Sequence, residues 1–553
     1  MKTMEITVPG SKSLTNRAIV LAALSNGISR ISNISHSLDS QIMIQAMKKL
    51  GVKISVGKDE LLIHGNKGIF PKFNGKINVG DAGTVARFLT AIITLAPGKV
   101  SLIKSKRMKE RPMEELTEAL KTIRAGEVSI RGDISSQFIS ALLMIAPILD
   151  EGLVINIIGK KISGSYINMT IDLMKKFGVK VKKNIQNKFT VKKQIILPTN
   201  YVVESDLSGA SYFFAAGAIT GNAVRVKNIN FESEQGDLIF PDLLGRMGCK
   251  VKKNIKKGWV EVKRSKILKG IDVNMSEMPD TAQTLAVVAA FAKGKTIISG
   301  LSTLRMKETD RLNALKNELN KMKIKCEITG DSISIEGGTP QKAVIETYGD
   351  HRMAMAFAVA KLRVPELEIK NPEVVKKSFP DFWDKFDLIK NTKLVLIGFM
   401  GSGKTTVAKI LAKKLNLEVI EMDDLIVKRS GKSIDQIFKD DGETKFREFE
   451  SQIAIDQKNK ENIVISTGGG VVINVENIKN LKVNGKMIFL KTSFSEIKKR
   501  LKDIEDRPLF SNKRSAEKLF KLRQKLYEKN ADLIVDTDGR SVEEVTYEII
   551  SQN

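Results

Sequence analysis

Six segments within the first 390 residues repeat one design, and that repetition limits the fold more than any other feature. Each copy has a polar or glycine-rich start, an apolar helix of about three turns, a glycine-containing turn and a short strand. The copies begin near Ser13 (SLTNRAIVLAALSNGISRISNI), Gly83 (GTVARFLTAIITLAPGKVSLI), Ser135 (SSQFISALLMIAPILDEGLVINI), Ser208 (SGASYFFAAGAITGNAVRVKNI), Asp280 (DTAQTLAVVAAFAKGKTIISG) and Asp350 (DHRMAMAFAVAKLRVPELEI). Helices that are apolar nearly all round must each be packed inside a core. A second helix-to-strand joint recurs as MKKLGVKI, MKKFGVKV, GRMGCKV and NKMKIKC, so each unit supplies two helices and several strands, an α/β repeat. The starts are 70, 52, 73, 72 and 70 residues apart. The short interval lacks about 19 residues between LTEALKTI and AGEVSI, so the second repeat is expected to be truncated, leaving an unpaired sheet edge or a loosened lobe.

Helix starts leave backbone N–H groups unpaired at the positive end of the macrodipole, so aligned starts make a trap for a polyanion. The residues there suit that purpose: Lys12, Ser13 and Arg17 at the first; Thr84 and Arg87 at the second; Ser135, Ser136 and Gln137 at the third; Asp280 at the fifth; Asp350, His351 and Arg352 at the sixth. Arg107, Lys109 and Arg111 precede Pro112, a favoured first helical residue, and Arg305, Lys307, Glu308 and Arg311 fill the related loop. Arginine forks hold phosphate or carboxylate through paired bonds. Charge agrees: the chain carries a net +28, of which +23 falls before Thr392. Aromatics make up only 6% of residues and form no ladder among the basic ones, which speaks against nucleic acid and for a small anionic substrate.

PGSKSLTNR, GDAGT, RMKERP, SSQFISALLM, MPDTAQT, RMKETDR, YGDHRMAMAF and KKSFPDFW follow one another along residues 1–390. In that order they resemble the motifs of 5-enolpyruvylshikimate-3-phosphate (EPSP) synthase. The resemblance implies a two-lobed enolpyruvyl transferase fold of six βαβαββ-type repeats, with lobes of about residues 9–204 and 205–388 plus the N-terminal strand. It implies phosphoenolpyruvate held by Lys12, Gly83, Thr84, Arg111, Gln137, Arg311, Arg352 and Lys377. Shikimate 3-phosphate would meet Lys12, Ser13, Arg17, Ser135, Ser136, Gln137, Ser163, Asp280, Thr303 and Lys307. Lys12, Asp280, Glu308 and His351 are the expected catalytic residues, with no cofactor. Asp81 and Thr303 stand where relatives often carry Asn.

The last 160 residues open on KLVLIGFMGSGKTTVAKILAKKL, a strand, a glycine loop and a helix. Gly398, Gly401, Ser402, Gly403, Lys404, Thr405 and Thr406 form a phosphate loop of the GxxxxGK[ST] type: backbone N–H groups surround the phosphates, Lys404 reaches the β and γ groups, and Thr405 takes Mg²⁺. VIEMDDLIVKRSGKSIDQIF, DGETKFREFE, ISTGGGVV, DRPLF and LRQKLY follow, in the order of shikimate kinase, which residues 392–553 resemble. The resemblance implies a P-loop domain with a parallel sheet, ATP and Mg²⁺, shikimate held by Asp423, Arg447, Gly468, Gly469, Gly470 and Arg523, and Arg507 on a lid. Asp423, Lys404 and Arg507 would be catalytic; Thr405 and Glu421 would face the metal, Glu421 where Asp is usual. Gln524 and Lys525 replace a common Ala-Pro.

The sequence therefore predicts a bifunctional enzyme. The rear unit makes shikimate 3-phosphate and the front unit consumes it with phosphoenolpyruvate, towards chorismate and the aromatic amino acids. A rival expectation is an active kinase behind an inactive, structural synthase half. No apolar run suits a membrane span or a leader, so a cytoplasmic monomer without nucleic-acid or membrane partners is expected. Cys249 and Cys326 sit in alternating strand-like runs and are read as core residues.

Overall fold

The structure of the chain is a computed structural model that describes residues 3–159, 163–184, 187–389, 392–415, 417–483, 485–500 and 513–552. It divides into Met1–Ile389 and Lys390–Asn553. In the first unit the six apolar helices form at the repeated segments: α1 (Lys12–Leu24), α2 (Gly83–Ile92), α3 (Ser136–Ile145), α4 (Leu207–Thr220), α5 (Ala282–Ala289) and α6 (His351–Lys361). Side chains cap four of them. Ser11, Ser135, Asp206 and Asp350 accept bonds from first-turn N–H groups of α1, α3, α4 and α6, which fixes where each helix begins. Asp280 lies in a 3₁₀ turn, Pro279–Thr281, just ahead of α5.

Two hydrophobic cores form around these helices. One gathers buried residues from Leu14 to Val203. The other gathers Ile6, Val8 and those from Leu207 to Ile389. The N-terminal strand Met4–Thr7 pairs in parallel with Val224–Lys227, so the chain begins in the second lobe and then enters the first. Four sheets share one plan, a parallel pair extended by an antiparallel hairpin. Cys249 and Cys326 open strands of two such sheets and are buried and free.

The second repeat supplies only its parallel pair, Gly75–Gly80 with Val100–Lys104. The chain then runs through the helix Glu114–Thr122 and a 3₁₀ turn straight into Glu127–Arg131. Val100 and Leu102 are consequently half-buried where their counterparts Val224 and Val226 are covered, yet both still pack on the first core. The sixth repeat, expected to be full, also has only a parallel pair, Val344–Ile345 with Glu368–Ile369. Pro112 does not open a helix as expected. It falls between the helices Lys106–Glu110 and Glu114–Thr122, with Met113 as the cap residue.

The second unit is a five-stranded sheet with all neighbouring strands parallel, in the order Glu418–Glu421, Ile463–Ser466, Lys393–Ile397, Lys486–Lys491, Leu533–Asp536. Strand Lys393–Ile397 is buried throughout because alternate residues face two cores: Val395 and Ile397 one, Leu394 and Leu396 the other. Sheets of this kind place ligands at the carboxyl ends of their strands, where the glycine loop, Glu421 and Ser466 lie.

Candidate functional site

A cavity of about 60 Å³ opens between the lobes of the first unit, and five of the six repeat starts reach it. Lys12 and Ser13 come from α1, Gly83 and Thr84 from α2, and Ser135, Ser136 and Gln137 from the start of α3. Asp39, Arg111, Pro112, Ile134, Ser163 and Tyr166 also line it from the first lobe, with Arg87, which donates to Gln137 Oε1 at 2.6 Å. The second lobe supplies Asp280, Thr303, Lys307, Glu308, Arg311, His351 and Arg352. The start of α4 instead faces a neighbouring pocket of about 10 Å³, where Ser208 and Asp237 meet Lys12 and Arg352. Lys377 Nζ reaches the site by donating to Glu308 Oε1 at 3.0 Å.

Arg17 is not among the lining residues. Its buried guanidinium donates to Thr170 Oγ1, Ser140 Oγ and the carbonyls of Ser13 and Tyr166, tying α1 to α3 and to the helix Gly164–Lys176. At Gly83 a Cβ would fall within 2.8 Å of the Arg111 guanidinium, so glycine is what lets that fork lie against the start of α2.

Carboxylates tie these cations together. Asp280 accepts from Arg352 Nη2 at 2.9 Å, Arg311 Nη1 at 3.1 Å and Tyr166 OH at 3.0 Å, and pairs with Lys307 at 3.3 Å. Burial raises its pKa, but Arg352, Lys307 and Arg311 together outweigh burial and hold it well below the usual carboxylate range. Glu308 is likewise lifted by burial and brought well below its ordinary value by Lys377, Arg311 and Arg111. Asp350 fixes Arg311 through Nε at 2.7 Å. Burial and the charge of Lys12 hold His351 well below its ordinary pKa and therefore neutral, and neither ring nitrogen has a hydrogen-bond partner. Two polar cavity residues escaped the sequence reading. Asp39, which binds Lys12 Nζ at 3.0 Å, follows the cap Ser37 of a second helix, a start of the kind already sought. Tyr166 follows Ser163 by three positions.

In the second unit the glycine loop turns through positive φ at Gly398, Gly401 and Gly403. Lys404 Nζ donates to the Gly398 and Phe399 carbonyls, both at 2.9 Å, while Thr405 and Thr406 are exposed in the first helical turn and Ser402 is buried. Thr405 Oγ1 donates to Glu421 Oε2 at 3.1 Å, and the buried Glu421 Oε1 has no hydrogen-bond partner. An inward carboxylate oxygen beside a hydroxyl fits a hard divalent cation. Across the sheet end, a Cβ on Gly468 would lie 3.0 Å from Asp423 Oδ1 and 3.1 Å from Glu450 Oε1; one on Gly469 would lie 3.8 Å from Arg523 Nη1; one on Gly470 would fall within 2.7 Å of Arg447 Cζ. The glycine run thus brings Asp423, Arg447 and Arg523 around one small space. Glu450, also missed from sequence, binds Arg447 Nη1 at 2.9 Å and is raised in pKa by burial. It lies three residues after Arg447 on the helix Gly442–Asp456, a spacing that marks it as a partner. Arg507 lies outside the described residues.

The family profile described as EPSP synthase (3-phosphoshikimate 1-carboxyvinyltransferase) matches residues 3–386, and that of shikimate kinase matches residues 400–553. The chain belongs to the EPSP synthase family and carries a shikimate kinase domain behind it. It is a bifunctional transferase and kinase of the shikimate pathway. A 3-phosphoshikimate 1-carboxyvinyltransferase of Janthinobacterium sp. (strain Marseille) is 38% identical over 426 residues, 70% of this chain and 96% of that protein. Pentafunctional AROM polypeptide 2 of Lodderomyces elongisporus is 33% identical over 596 residues, which is 95% of this chain but 38% of that polypeptide. Among solved structures, EPSP synthase from Acinetobacter baumannii superposes with a TM-score of 0.59 at 25% identity, covering 70% of this chain and 96% of its own. Nothing found supports a purely structural front half.

Proposed function

We propose that the two domains act in succession on one small acid, with the residues above in the following roles. In the kinase, Arg447 and Arg523 grip the shikimate carboxylate and Asp423 holds the 3-hydroxyl as base or orienter. Lys404 leaves the loop carbonyls for the β and γ phosphates of ATP, and Arg507 is assigned to the transferring phosphate by its motif. Thr405 and Glu421 would hold Mg²⁺, supported by the unpartnered Glu421 oxygen; when bound, the ion neutralises phosphate charge.

In the synthase, Lys12, Arg111, Arg311, Arg352 and Lys377 receive phosphoenolpyruvate, while Ser13, Ser135, Ser136, Gln137, Ser163 and Lys307 hold shikimate 3-phosphate. Asp280 takes the proton of the 5-hydroxyl as its oxygen bonds to C2 of phosphoenolpyruvate, and Glu308 with Lys12 delivers a proton to C3. The tetrahedral adduct then loses phosphate and a C3 proton, restoring the double bond. One observation carries this reading: the three cations that keep Asp280 acidic are the ones assigned to substrate anions. Once they turn to those anions, burial dominates and the carboxylate becomes a stronger base. We propose a monomer that acts in the cytoplasm. Among the described residues no helix is long and apolar enough to cross a membrane.

The deciding assay supplies ATP, shikimate and phosphoenolpyruvate and follows ADP and inorganic phosphate separately. Both should appear, with phosphate release requiring ATP unless shikimate 3-phosphate is added. ADP alone would overturn the synthase roles.

A further inference from the structure

Arg107 and Arg305 open RMKERP and RMKETDR and hold equivalent places in the second and fifth repeats. Their partners differ. Arg305 bonds within its own lobe, donating to Gly330 O at 3.0 Å and pairing with Asp310 at 3.3 Å. Gly330 is the turn of the hairpin Cys326–Thr329 and Ser332–Glu336 that completes the fifth sheet. The second sheet has no such hairpin, so Arg107 has no equivalent carbonyl at home. Nη1 stays at home on Glu110 Oε2 at 3.0 Å, while the rest of the fork reaches across the cleft: Nε donates to the carbonyls of Lys307 and Glu308, both at 3.2 Å, and Nη2 to those of Arg305 at 3.2 Å and Lys307 at 3.1 Å.

The gripped segment carries the Lys307 and Glu308 side chains into the cavity, whereas Arg107 is not a lining residue. Among the other cross-lobe contacts, Lys377 to Asp81 O at 3.1 Å and Arg111 to Glu308 at 3.9 Å use cations assigned above to a substrate, while Ser165 holds Glu277 O at 2.6 Å and Tyr166 holds Asp280 at 3.0 Å, both away from the 305–308 backbone. The cross-cleft bonds of Arg107 run to backbone carbonyls and so do not compete with one.

We infer that Arg107 is a positioning residue of the synthase: its guanidinium latches the lobes and sets Lys307 and Glu308, a task opened to it by the missing hairpin of the second repeat. The inference rests on the roles proposed for Lys307 and Glu308. A single ammonium cannot span three carbonyls as a planar fork does, so charge and geometry separate cleanly in Arg107→Lys.

Arg107→Lys and Arg107→Ala are compared with the parent in the full chain. The readouts are synthase kcat, KM for each substrate, the kinase rate and the thermal midpoint. Both variants are expected to lose about tenfold or more in synthase kcat/KM, with kcat falling and KM for phosphoenolpyruvate rising, while kinase rate and midpoint hold. An Arg107→Lys enzyme as active as the parent would overturn the latch, as would a loss that merely follows a lowered midpoint. A parent that releases no phosphate would instead overturn the synthase reading, and the inference with it.

Discussion

Replacing Gly470 by alanine tests the shikimate pocket with one methyl group. The backbone permits it, since Gly470 has φ −101°. The new Cβ would fall within 2.7 Å of Arg447 Cζ and nearer still to both Nη atoms, well inside ordinary contact. What must give way is the end of a flexible side chain, so the fold should persist while the guanidinium is pushed aside. Arg447 also bonds Glu450 at 2.9 Å and Glu443 at 3.0 Å, which holds it close to the glycine and limits where it can go. A hydrogen bond to a charged group is worth about 1.5–3 kcal/mol. Losing one such bond to the shikimate carboxylate should raise KM for shikimate by about 10- to 150-fold. The phosphate loop lies on other residues, so KM for ATP should stay near the parent value. Initial rates of ADP release, with shikimate varied at saturating ATP and then the reverse, read both constants. Equal rises in the two, or an unmoved shikimate constant, would refute the carboxylate role of Arg447.

Asp280→Asn should lower synthase kcat by about 100-fold or more while the kinase rate is untouched, measured by phosphate and ADP release on one preparation; turnover at the parent rate would remove Asp280 from proton transfer. Asp237 offers a pH test. Burial pushes its carboxyl up to about 6, against the hydrogen bond from Ser208 and the charge of Arg352. The folded chain therefore keeps a proton that the unfolded chain releases near about pH 4. Stability from this group is full below that point and lost as pH climbs to about 6, by about 3 kcal/mol. Thermal midpoints of Asp237→Asn against the parent should move in the variant's favour between those two pH values, and a constant gap would contradict the assignment.

The helix starts were legible because capping and apolar runs are local. Ser11, Ser135 and Asp350 announce their helices within a few residues, and the spacing of copies exposed the short second repeat. What a side chain faces is decided by neighbours far along the chain, and there the sequence misled. Arg17 sits at a helix start yet turns inward to Thr170 and Ser140, more than a hundred residues away. The missing hairpin of the sixth repeat went unnoticed because no seventh start exists to measure an interval against. Asp39 lies on a second helix outside the quoted motifs, and Glu450 closes the motif DGETKFREFE one turn beyond Arg447, where a carboxylate reads as an ordinary surface charge.

A cluster of seven cations, Lys12, Arg87, Arg111, Lys307, Arg311, Arg352 and Lys377, would ordinarily scavenge any stray sulfate or nucleotide in the cell. In this cleft Asp39, Asp280, Glu308 and Asp350 already occupy most of those hands. A visitor with one negative group displaces too little to settle, whereas a pair of molecules bearing several, correctly spaced, can replace the internal anions all at once. Discrimination between guests then comes from the acids as much as from the bases.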